Sequence, residues 1–417
     1  MPQPDLPSEL LSDIFHYLIP TDTTIFNYDL LSASLVSPSW HRVARPLFAN
    51  THLRSLFQDR YYTHAELART RVLLDESHCL GADDARLIER LRIRTSDDWF
   101  GFPPIPQESA DHIYAILALA RNLTDLHLNL NVPRGGHDAL KTLYASLKPA
   151  HPTIRRLAVF HSIFSPAHDG IIDLIAHLPK LDGIELYRLD LLPELVSVLA
   201  SREKMKHAVI RRPRVREFHL CIARWSNLRS LHISGPMDGC ERVWEEVARS
   251  CPLLESFYYK RDKLFGVEGP GAREENAALS QIVTQCQKIE SLYLDGIAGI
   301  GGEFLVATMR EGRTLKNLSI IECENVVMEE GGEWENVEKP WPMLEHLTLS
   351  SCGIFDDAFV ERVLERCERL HTVIFKGYTK EGLRWPTLFK THGFEIDAKN
   401  VWRRELGYRK PFSQTPV

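Results

Sequence analysis

Cysteine and histidine are the residues of this chain that could act as nucleophiles, bases or metal ligands. The eight cysteines lie between positions 79 and 367 and include no C-x-x-C pair. The 18 histidines form no HExxH motif, and neither GxSxG nor GxxxxGK[ST] occurs in the sequence. A hydrolase that pairs one of the histidines with a cysteine is therefore a remote alternative. We expect no catalytic residue, no metal site and no cofactor.

The glycines from Gly296 to Gly302 come nearest to a phosphate-binding loop, because they follow a predicted strand that ends at Leu294. The dinucleotide fingerprint GxGxxG would require a further glycine at the position of Phe304. A turn between the strand and the helix of a repeat explains the same glycines. We therefore do not predict nucleotide binding.

A short pattern, apolar-x-x-apolar-x-apolar, recurs along most of the chain. Its second and third apolar residues alternate with period two, which places both on one face of a short strand. Between these strands lie segments with helical spacing, such as Val360, Val363 and Leu364. The ten copies begin at Ile88, Leu123, Ile154, Leu181, Leu228, Leu254, Ile289, Leu315, Leu344 and Leu370.

Most neighbouring copies begin about 26 to 35 residues apart, which is the size of a leucine-rich repeat with one strand and one returning helix. A single copy cannot bury its apolar edge, whereas stacked copies share one continuous core. The predicted fold class is therefore α/β, with about ten repeats over residues 51–382. They are expected to form a curved solenoid with parallel strands inside and helices outside. The tail 383–417 is predicted to cover the last repeat with Trp385, Phe389, Phe394 and Trp402.

The interval before the fifth copy is longer than the others. Residues 215–220 could form a strand, but the next strand would then begin too soon for a returning helix. The spacing of Phe218, Ile222 and Trp225 instead predicts a helix. We assign an insertion to the residues around 201–214.

Five cysteines occupy equivalent places in the repeats. Cys251, Cys286 and Cys367 each precede the first apolar residue of a copy by three positions. Cys323 and Cys352 each follow the last apolar residue by three positions, where the repeat consensus has Asn or Cys. Because free cysteine is among the most buried residue types, these thiols are predicted to be structural. Reduced thiols fit a cytoplasmic or nuclear protein.

The first fifty residues follow a different pattern. Pro7 lies in the first turn of a predicted helix that carries an apolar stripe. Two further short helices are predicted after Asp29 and after Ser37. Three helices of this size have more apolar surface than they can bury among themselves, so a partner is expected to cover part of it. The stripe consists of Leu10, Leu11, Ile14, Phe15 and Leu18.

Residues 6–18, LPSELLSDIFHYL, and residues 29–44, DLLSASLVSPSWHRVA, closely resemble the two halves of an F-box. The resemblance covers about residues 5–48, so the predicted domains are an F-box at 1–50, the repeats and the tail. With the repeats behind it, the chain resembles a fungal-type F-box/leucine-rich-repeat protein. Two differences are a lengthened loop at residues 19–28 and Ser37, where many members have cysteine.

The resemblance implies a function in ubiquitin transfer. Members of this family dock on the adaptor Skp1, which tethers them to a cullin–RING ubiquitin ligase, while the repeats capture a substrate protein. The chain would be a non-catalytic substrate-recognition subunit of an SCF-type (Skp1–cullin–F-box) E3 ubiquitin ligase in ubiquitin-dependent degradation. A scaffold that binds partners without delivering them for ubiquitination is the alternative.

The resemblance also assigns residues to the Skp1-like adaptor. Several of them could instead form the internal core of the three helices, and Pro7 and Leu10 are the best placed for an interface. The assigned positions are Pro7, Leu10, Leu11, Ile14, Phe15, Leu30, Leu35 and Trp40.

The charge of the chain limits its partners. A formal net charge of −6 excludes a generally basic nucleic-acid binder. Seven Lys and Arg residues lie within residues 202–216, which form either a solvated segment or a docking site for an acidic partner. Aromatic stacking residues are missing from that stretch, so nucleic acid is not expected there. The acidic, glycine-containing segment 329–338 is predicted to be a solvated loop.

Membrane association is not expected either. No apolar run approaches the roughly 18 residues that would span a bilayer. Residues 1–15 carry acidic side chains and no apolar core of the kind that a secretory signal requires. We therefore expect a cytoplasmic or nuclear location, with a protein substrate as partner.

The strand pattern predicts where that substrate binds. In each strand the second and third apolar residues face the core, so the residue between them and the one after them face the concave surface. Four aromatic residues should line up there, and such groups are enriched in binding hot spots. The alternative is that the tyrosines merely pack across adjacent strands. The predicted substrate-binding residues are His127, Asn129, Phe160, Tyr187, His232, Tyr258, Lys260, Tyr293 and Asp295, and the aromatic stripe is Phe160, Tyr187, Tyr258 and Tyr293.

Overall fold

The computed structural model divides the chain into two compact units, Met1–Leu186 and Tyr187–Val417. The structure describes residues 6–18, 28–34, 36–51, 64–79, 84–94, 107–130, 152–161, 168–187, 191–211, 217–235, 241–261, 272–329, 331–376, 384–397 and 401–404, and the single positions 81, 147 and 189.

Three helices open the first unit, and local sequence signals set their ends. The carbonyl of Pro7 accepts a hydrogen bond from the backbone N–H of Leu11 at 3.1 Å, within the first turn of the first helix. The hydroxyl of Ser37 accepts the N–H of Trp40 at 3.2 Å and so caps the third helix. Phe15 and Trp40 meet edge to face at 5.4 Å and join the first helix to the third. The helices are α1 (Ser8–Leu18), α2 (Tyr28–Ser34) and α3 (Pro38–Thr51).

The remainder of the first unit alternates helices with parallel strands. Leu91, Leu126 and Leu157 are in register across the first three strands, and all three are buried. A 3-10 turn at Asp84–Leu87 precedes the first strand. The elements are α4 (His64–Cys79), β1 (Arg90–Arg94), α5 (Gln107–Leu119), β2 (Asp125–Leu130), β3 (Arg156–His161), α6 (His168–Ala176) and β4 (Gly183–Tyr187).

The second unit repeats the same alternation. Its first seven strands pair consecutively and in parallel. A 3-10 turn at Glu333–Asn336 stands in the connection between β9 and β10. The elements are α7 (Pro193–Ala200), β5 (His207–Arg211), α8 (His219–Ile222), β6 (Ser230–Ser234), α9 (Glu241–Ser250), β7 (Ser256–Lys260), α10 (Ala272–Gln285), β8 (Ser291–Asp295), α11 (Gly302–Glu311), β9 (Asn317–Ile321), β10 (His346–Ser350), α12 (Asp357–Arg366), β11 (Thr372–Lys376), α13 (Trp385–Thr391), β12 (Glu395–Ile396) and β13 (Trp402–Arg403).

Alternation along each strand separates the core from the opposite face of the sheet. Phe257 and Tyr259 of β7 pack against Trp244 of α9, with ring centroids 5.4 and 4.5 Å apart. Tyr258, which lies between them, is half-exposed on the other face. The predicted class is thereby confirmed: N-terminal helices are followed by a parallel-strand sheet that resembles those of leucine-rich-repeat solenoids.

The insertion predicted around residues 201–214 is wrong, because these residues contain strand β5. Met205, Ala208 and Ile210 form a further copy of the repeat pattern and are fully buried. Alanine at the middle apolar position concealed this copy in the sequence. The helix predicted next is present as the short α8, and Phe218 and Trp225 are buried around it. The long interval thus holds two short repeats, which begin at Leu181 and Met205.

The cysteines form buried links between neighbouring repeats. The thiol of Cys251 donates to the carbonyl of Trp225 at 3.8 Å, and that of Cys352 donates to Ile320 at 3.1 Å. Burial raises the pKa of Cys286 to about 12, so this thiol stays protonated at neutral pH. All seven cysteines within the described residues are free, and the five at repeat positions are buried, as predicted.

Gly296, from the glycine-containing segment, has a backbone requirement of its own. Its φ is +73°, and an added Cβ would lie 2.8 Å from the carbonyl oxygen of Arg261. This tight turn after β8 therefore requires glycine, because a side chain would clash with this oxygen and the positive φ is unfavourable for other residues. It accounts for Gly296 without any phosphate ligand.

Aromatic side chains close the last parallel strand. Phe375 of β11 contacts Trp385 at 5.0 Å and Phe389 at 5.7 Å between ring centroids. Phe389 stacks on Trp402 at 4.9 Å, and β13 pairs antiparallel with β11. These contacts cover apolar surface that a further repeat would otherwise bury.

The acidic segment near residue 334 is not simply a solvated loop. Trp334 is buried, and its Nε1 donates to the carbonyl of Glu329 at 2.9 Å. Arg362 of α12 donates to the carbonyl of Val337 at 3.1 Å, which fixes the end of this segment. The charges of this segment predicted a solvated loop, whereas the buried Trp334 and the contact with Arg362 hold it against the rest of the unit.

Within the described part of the chain, no helix has both the length and the apolar character needed to cross a membrane.

Candidate functional site

The structure has two candidate functional surfaces. The first is an apolar face of α1. Leu10 is 51% exposed and Ile14 is 42% exposed, although both are large hydrophobic residues. Leu6, just before the helix, is exposed to a similar extent. Residues four positions apart share one side of a helix, so Leu10 and Ile14 lie side by side on α1. We call Leu6, Leu10 and Ile14 the apolar α1 face.

Three of the residues assigned to the adaptor belong instead to the core. Leu11, Phe15 and Leu30 are buried, because Leu11 and Phe15 point to the side of α1 that packs on the neighbouring helices. Pro7 is exposed, and Trp40 is half-buried beside Phe15. Leu35 lies outside the described residues. The assignment to an interface is therefore kept for Pro7, Leu10, Ile14 and the exposed part of Trp40.

The second surface is the face of the second unit's sheet opposite the helices. His232, Tyr258 and Tyr293 are in register on β6, β7 and β8. The ring centroids of His232 and Tyr258 are 3.7 Å apart, and those of Tyr258 and Tyr293 are 4.1 Å apart with nearly parallel planes. We call this stack, together with Tyr187 and Arg211, the aromatic face.

A row of polar residues borders the stack at the ends of the strands. Arg211, Ser234, Lys260 and Asp295 are in register on β5 to β8. Asp295 is only 5% exposed, and its Oδ2 accepts from the Lys260 Nζ at 2.7 Å and from the Tyr293 hydroxyl at 3.2 Å. Asp295 therefore positions its neighbours, and the prediction that it contacts a partner directly is corrected.

The predicted four-residue stripe is divided into separate groups. Tyr187 is the last residue of β4 and the first residue of the second unit. Its ring centroid lies 4.9 Å from the guanidinium carbon of Arg211. Strands β5 and β6 come between Tyr187 and Tyr258 in the chain, so these tyrosines do not occupy neighbouring repeats. Phe160 is on β3 in the first unit, at the level of Asn129 on β2. The overlooked strand β5 is the reason for the error.

The first unit contributes less to a candidate site. His127 on β2 is half-buried, and burial lowers the pKa of its imidazole. Its Nδ1 has no hydrogen-bond partner within the described part of the chain. Phe160 is half-buried, and the side chain of Asn129 lies outside the described residues.

Arg211 is the residue of the aromatic face that the sequence interpretation missed. It lies among the cations of the predicted insertion. Residues 212–216, which follow it, lie outside the described residues. The pattern of Met205, Ala208 and Ile210 would have revealed it, since Arg211 directly follows the third apolar position. The rule that selected Lys260 and Asp295 also selects Arg211.

The imidazole of His232 should remain neutral well below neutral pH. Burial, together with the positive charge of Arg211, lowers the pKa of His232 to about 4. The histidine of an unfolded chain titrates near 6.5, so the unfolded state binds more protons between pH 6.5 and pH 4. We predict that the contribution of His232 to stability falls as the pH decreases through this window.

NMR titration of the His232 ring measures this directly, with His232→Gln as the assignment control. The urea midpoint of the wild type should fall more between pH 7 and pH 5 than that of His232→Gln. A ring titration midpoint at or above 6.5 would contradict the burial of His232 in the stack.

One cluster has the residue types of a metal site. Glu345, His346 and His371 place one ligand atom each within 4.8 Å of one another. Neighbouring ligand atoms of a tetrahedral zinc site, with bonds of about 2.0–2.1 Å, are roughly 3.4 Å apart. Burial lowers the pKa of His346, and the positive charge of Arg403 adds to this effect. Because the ligand atoms are up to 4.8 Å apart, wider than in such a site, we assign no metal to the cluster.

Comparison with known proteins identifies the N-terminal segment. Residues 3–54 match the model of the F-box-like family, and they include α1, α2 and α3. The chain carries an F-box-like domain. The match covers the three helices and the apolar α1 face. It does not extend to the repeats. No curated protein is similar to the chain at a significant level.

Several solved structures share the general arrangement of the chain. A chain from the Rad7 and Elc1 complex in yeast is 14% identical over 76% of this chain and 87% of its own length, with a TM-score of 0.48. An internalin, InlF, from Listeria monocytogenes is 13% identical over 72% of this chain and 84% of its own, with a TM-score of 0.38. These likenesses are loose, so the fold assignment rests on the strands and helices themselves.

Proposed function

We propose that this protein is the substrate-recognition subunit of an SCF-type ubiquitin ligase. The F-box-like domain would dock on a Skp1-like adaptor and, through it, on a cullin–RING ligase. One observation carries the proposal: the segment that matches the F-box-like family exposes Leu10 and Ile14 side by side on α1. Large apolar side chains grouped on a surface are characteristic of a protein interface.

The aromatic face is the proposed substrate-binding surface. Tyr258 and Tyr293 are half-exposed, although their rings stack closely on one another. Tyrosine supplies a large contact area and a polar hydroxyl at a small cost in side-chain entropy, which is why it is enriched in binding hot spots. The role is one of capture, and the chemistry of ubiquitin transfer would belong to the other subunits.

Removing three rings should separate the two proposed binding functions. A protein with Tyr187→Ala, Tyr258→Ala and Tyr293→Ala should keep its fold, because the buried apolar residues of each strand are unchanged. It should retain adaptor binding and lose its substrate proteins, since each hot-spot truncation costs roughly 2 kcal/mol or more. Affinity purification with quantitative mass spectrometry compares its partners with those of the wild type.

The matched control removes three exposed apolar side chains elsewhere in the second unit: Leu192→Ala, Leu220→Ala and Ile354→Ala. This protein should keep all partners. An unchanged set of partners for the tyrosine variant would reject the aromatic face as the substrate site. If the captured proteins were neither ubiquitinated in a reconstituted ligase nor longer-lived after gene deletion, the protein would be a scaffold.

A further inference from the structure

Arg211 differs from the other cations near the aromatic face because it lacks an acidic partner. The Nζ of Lys260 lies 2.7 Å from the Oδ2 of Asp295, and the Nη1 of Arg261 lies 3.7 Å from the Oε2 of Glu275. Within the part of the chain that the structure describes, no carboxylate lies at ion-pair distance from Arg211. Its Nε is buried and donates to no hydrogen-bond acceptor among the described residues.

The contact of Arg211 with Tyr187 leaves its hydrogen-bonding capacity unused. The guanidinium carbon lies 4.9 Å from the ring centroid, which is the geometry of a cation–π contact. Such a contact is made with the face of the ring and consumes none of the five N–H donors. A desolvated charged donor without an acceptor is unfavourable, so a ligand that supplies one gains affinity.

The charges of the side chains around Arg211 determine which net charge a ligand should carry. His232 on the next strand is neutral at physiological pH, because its pKa lies near 4. Lys260 is already neutralised by Asp295. Among the described residues of the aromatic face, the excess is therefore one positive charge. A single carboxylate balances it, whereas a phosphate with close to two negative charges would need a second free cation.

We propose that Arg211 binds the carboxylate of an aspartate or glutamate in an extended acidic segment of a partner protein. This inference rests on the proposed function and specifies the chemistry of the substrate. Tyr187 supports the guanidinium, and the stack of Tyr258 and Tyr293 receives an apolar or aromatic side chain of the same segment.

The spacing of the two anchors follows from the sheet. Arg211 is on β5 and Tyr258 is on β7, which is two strands away. Adjacent strands are about 4.8 Å apart, and Tyr258 lies two residues before the level of Arg211 along the strand. The two anchors are therefore roughly 12 Å apart along the diagonal. An extended peptide covers about 3.3 Å per residue. The recognised segment should therefore carry its acidic residue and its large apolar residue three to four positions apart.

A double-mutant cycle tests the pairing. The probe is a terminally blocked dodecapeptide of glycine and serine with one glutamate and one tyrosine three positions apart, and its partner probe has glutamine instead of glutamate. Binding to the full chain is measured by fluorescence anisotropy. We expect the glutamine peptide to bind the wild type at least about tenfold more weakly. Arg211→Gln should bind both peptides equally, which shows that the two changes act on one interaction.

Two variants serve as controls for charge and fold. Lys204→Gln removes one positive charge from an exposed position of the same basic segment and should keep the glutamate preference. Arg211→Lys keeps the charge but loses the planar fork, so its preference should be intermediate. Unchanged melting temperatures establish that each variant is folded, and retained adaptor binding separates this site from the F-box-like domain.

Several results would overturn the assignment. A glutamate preference lost equally in Lys204→Gln would indicate a general effect of the basic segment. Tighter binding of the same peptide with phosphoserine in place of glutamate would show a phosphate site, and no glutamate preference up to millimolar peptide would show no anion site. If adaptor binding failed while the Arg211-dependent preference remained, the proposed function would fall and this site would stand.

Discussion

Replacing Leu10 by aspartate is expected to abolish binding of the Skp1-like adaptor. Leu10 is half-exposed on α1, so the charge remains hydrated in the free protein and the fold is kept. In the complex the same carboxylate would be buried without a partner, which costs several kcal/mol. We expect the dissociation constant, measured by isothermal titration calorimetry, to rise by about a hundredfold or more.

The control for this prediction is Val72→Asp. Val72 is as exposed as Leu10 and lies on α4 of the same unit, outside the F-box-like match. Adaptor binding should be unchanged in this variant, and its melting temperature should match that of Leu10→Asp. Undiminished adaptor binding by a folded Leu10→Asp protein would remove the apolar α1 face from the interface.

The sequence predicted the helix that carries this face, but it could not divide its residues between core and surface. An apolar stripe made of Leu10, Leu11, Ile14 and Phe15 covers more than one side of a helix. Which side becomes the core depends on where α3 packs, and that is a tertiary property: Trp40 meets Phe15 and leaves Leu10 open. Exposure of Leu10 is thus visible only in the folded chain.

The repeats were largely predictable because period-two alternation and helical spacing are local properties. The exception is β5, whose middle apolar position is occupied by Ala208. Alanine contributes little apolar area, so the pattern was weak although the residue is fully buried. Missing this strand displaced the register of the predicted stripe and hid Arg211. The alignment of Tyr258 with Tyr293 on neighbouring strands was therefore predicted correctly, whereas the neighbouring position of Tyr187 was wrong.

Replacing Trp225 by alanine should cause the largest loss of stability. Trp225 is fully buried, and its Nε1 donates to the carbonyl of Leu199 at the end of α7 at 3.1 Å. Its ring also meets Phe218 edge to face at 5.6 Å. Truncation removes this packing and one hydrogen bond of the Leu199 carbonyl, which then keeps only backbone donors such as the N–H of Arg202. We expect a loss of about 3–5 kcal/mol in the free energy of unfolding, measured by urea denaturation.

The destabilisation caused by Trp225→Ala should be greatest in the strands near Trp225. Repeats interact mainly with their neighbours, so amide hydrogen exchange should accelerate first in β5 and β6 and least in β10 and β11. Trp225→Phe keeps most of the ring and loses only the Nε1 hydrogen bond, so its cost should be clearly smaller. Leu220→Ala, on the exposed side of α8, should change stability by no more than about 0.5 kcal/mol. Equal acceleration of exchange in all strands would mean that the second unit unfolds as a single cooperative block, with Trp225 acting on the whole sheet.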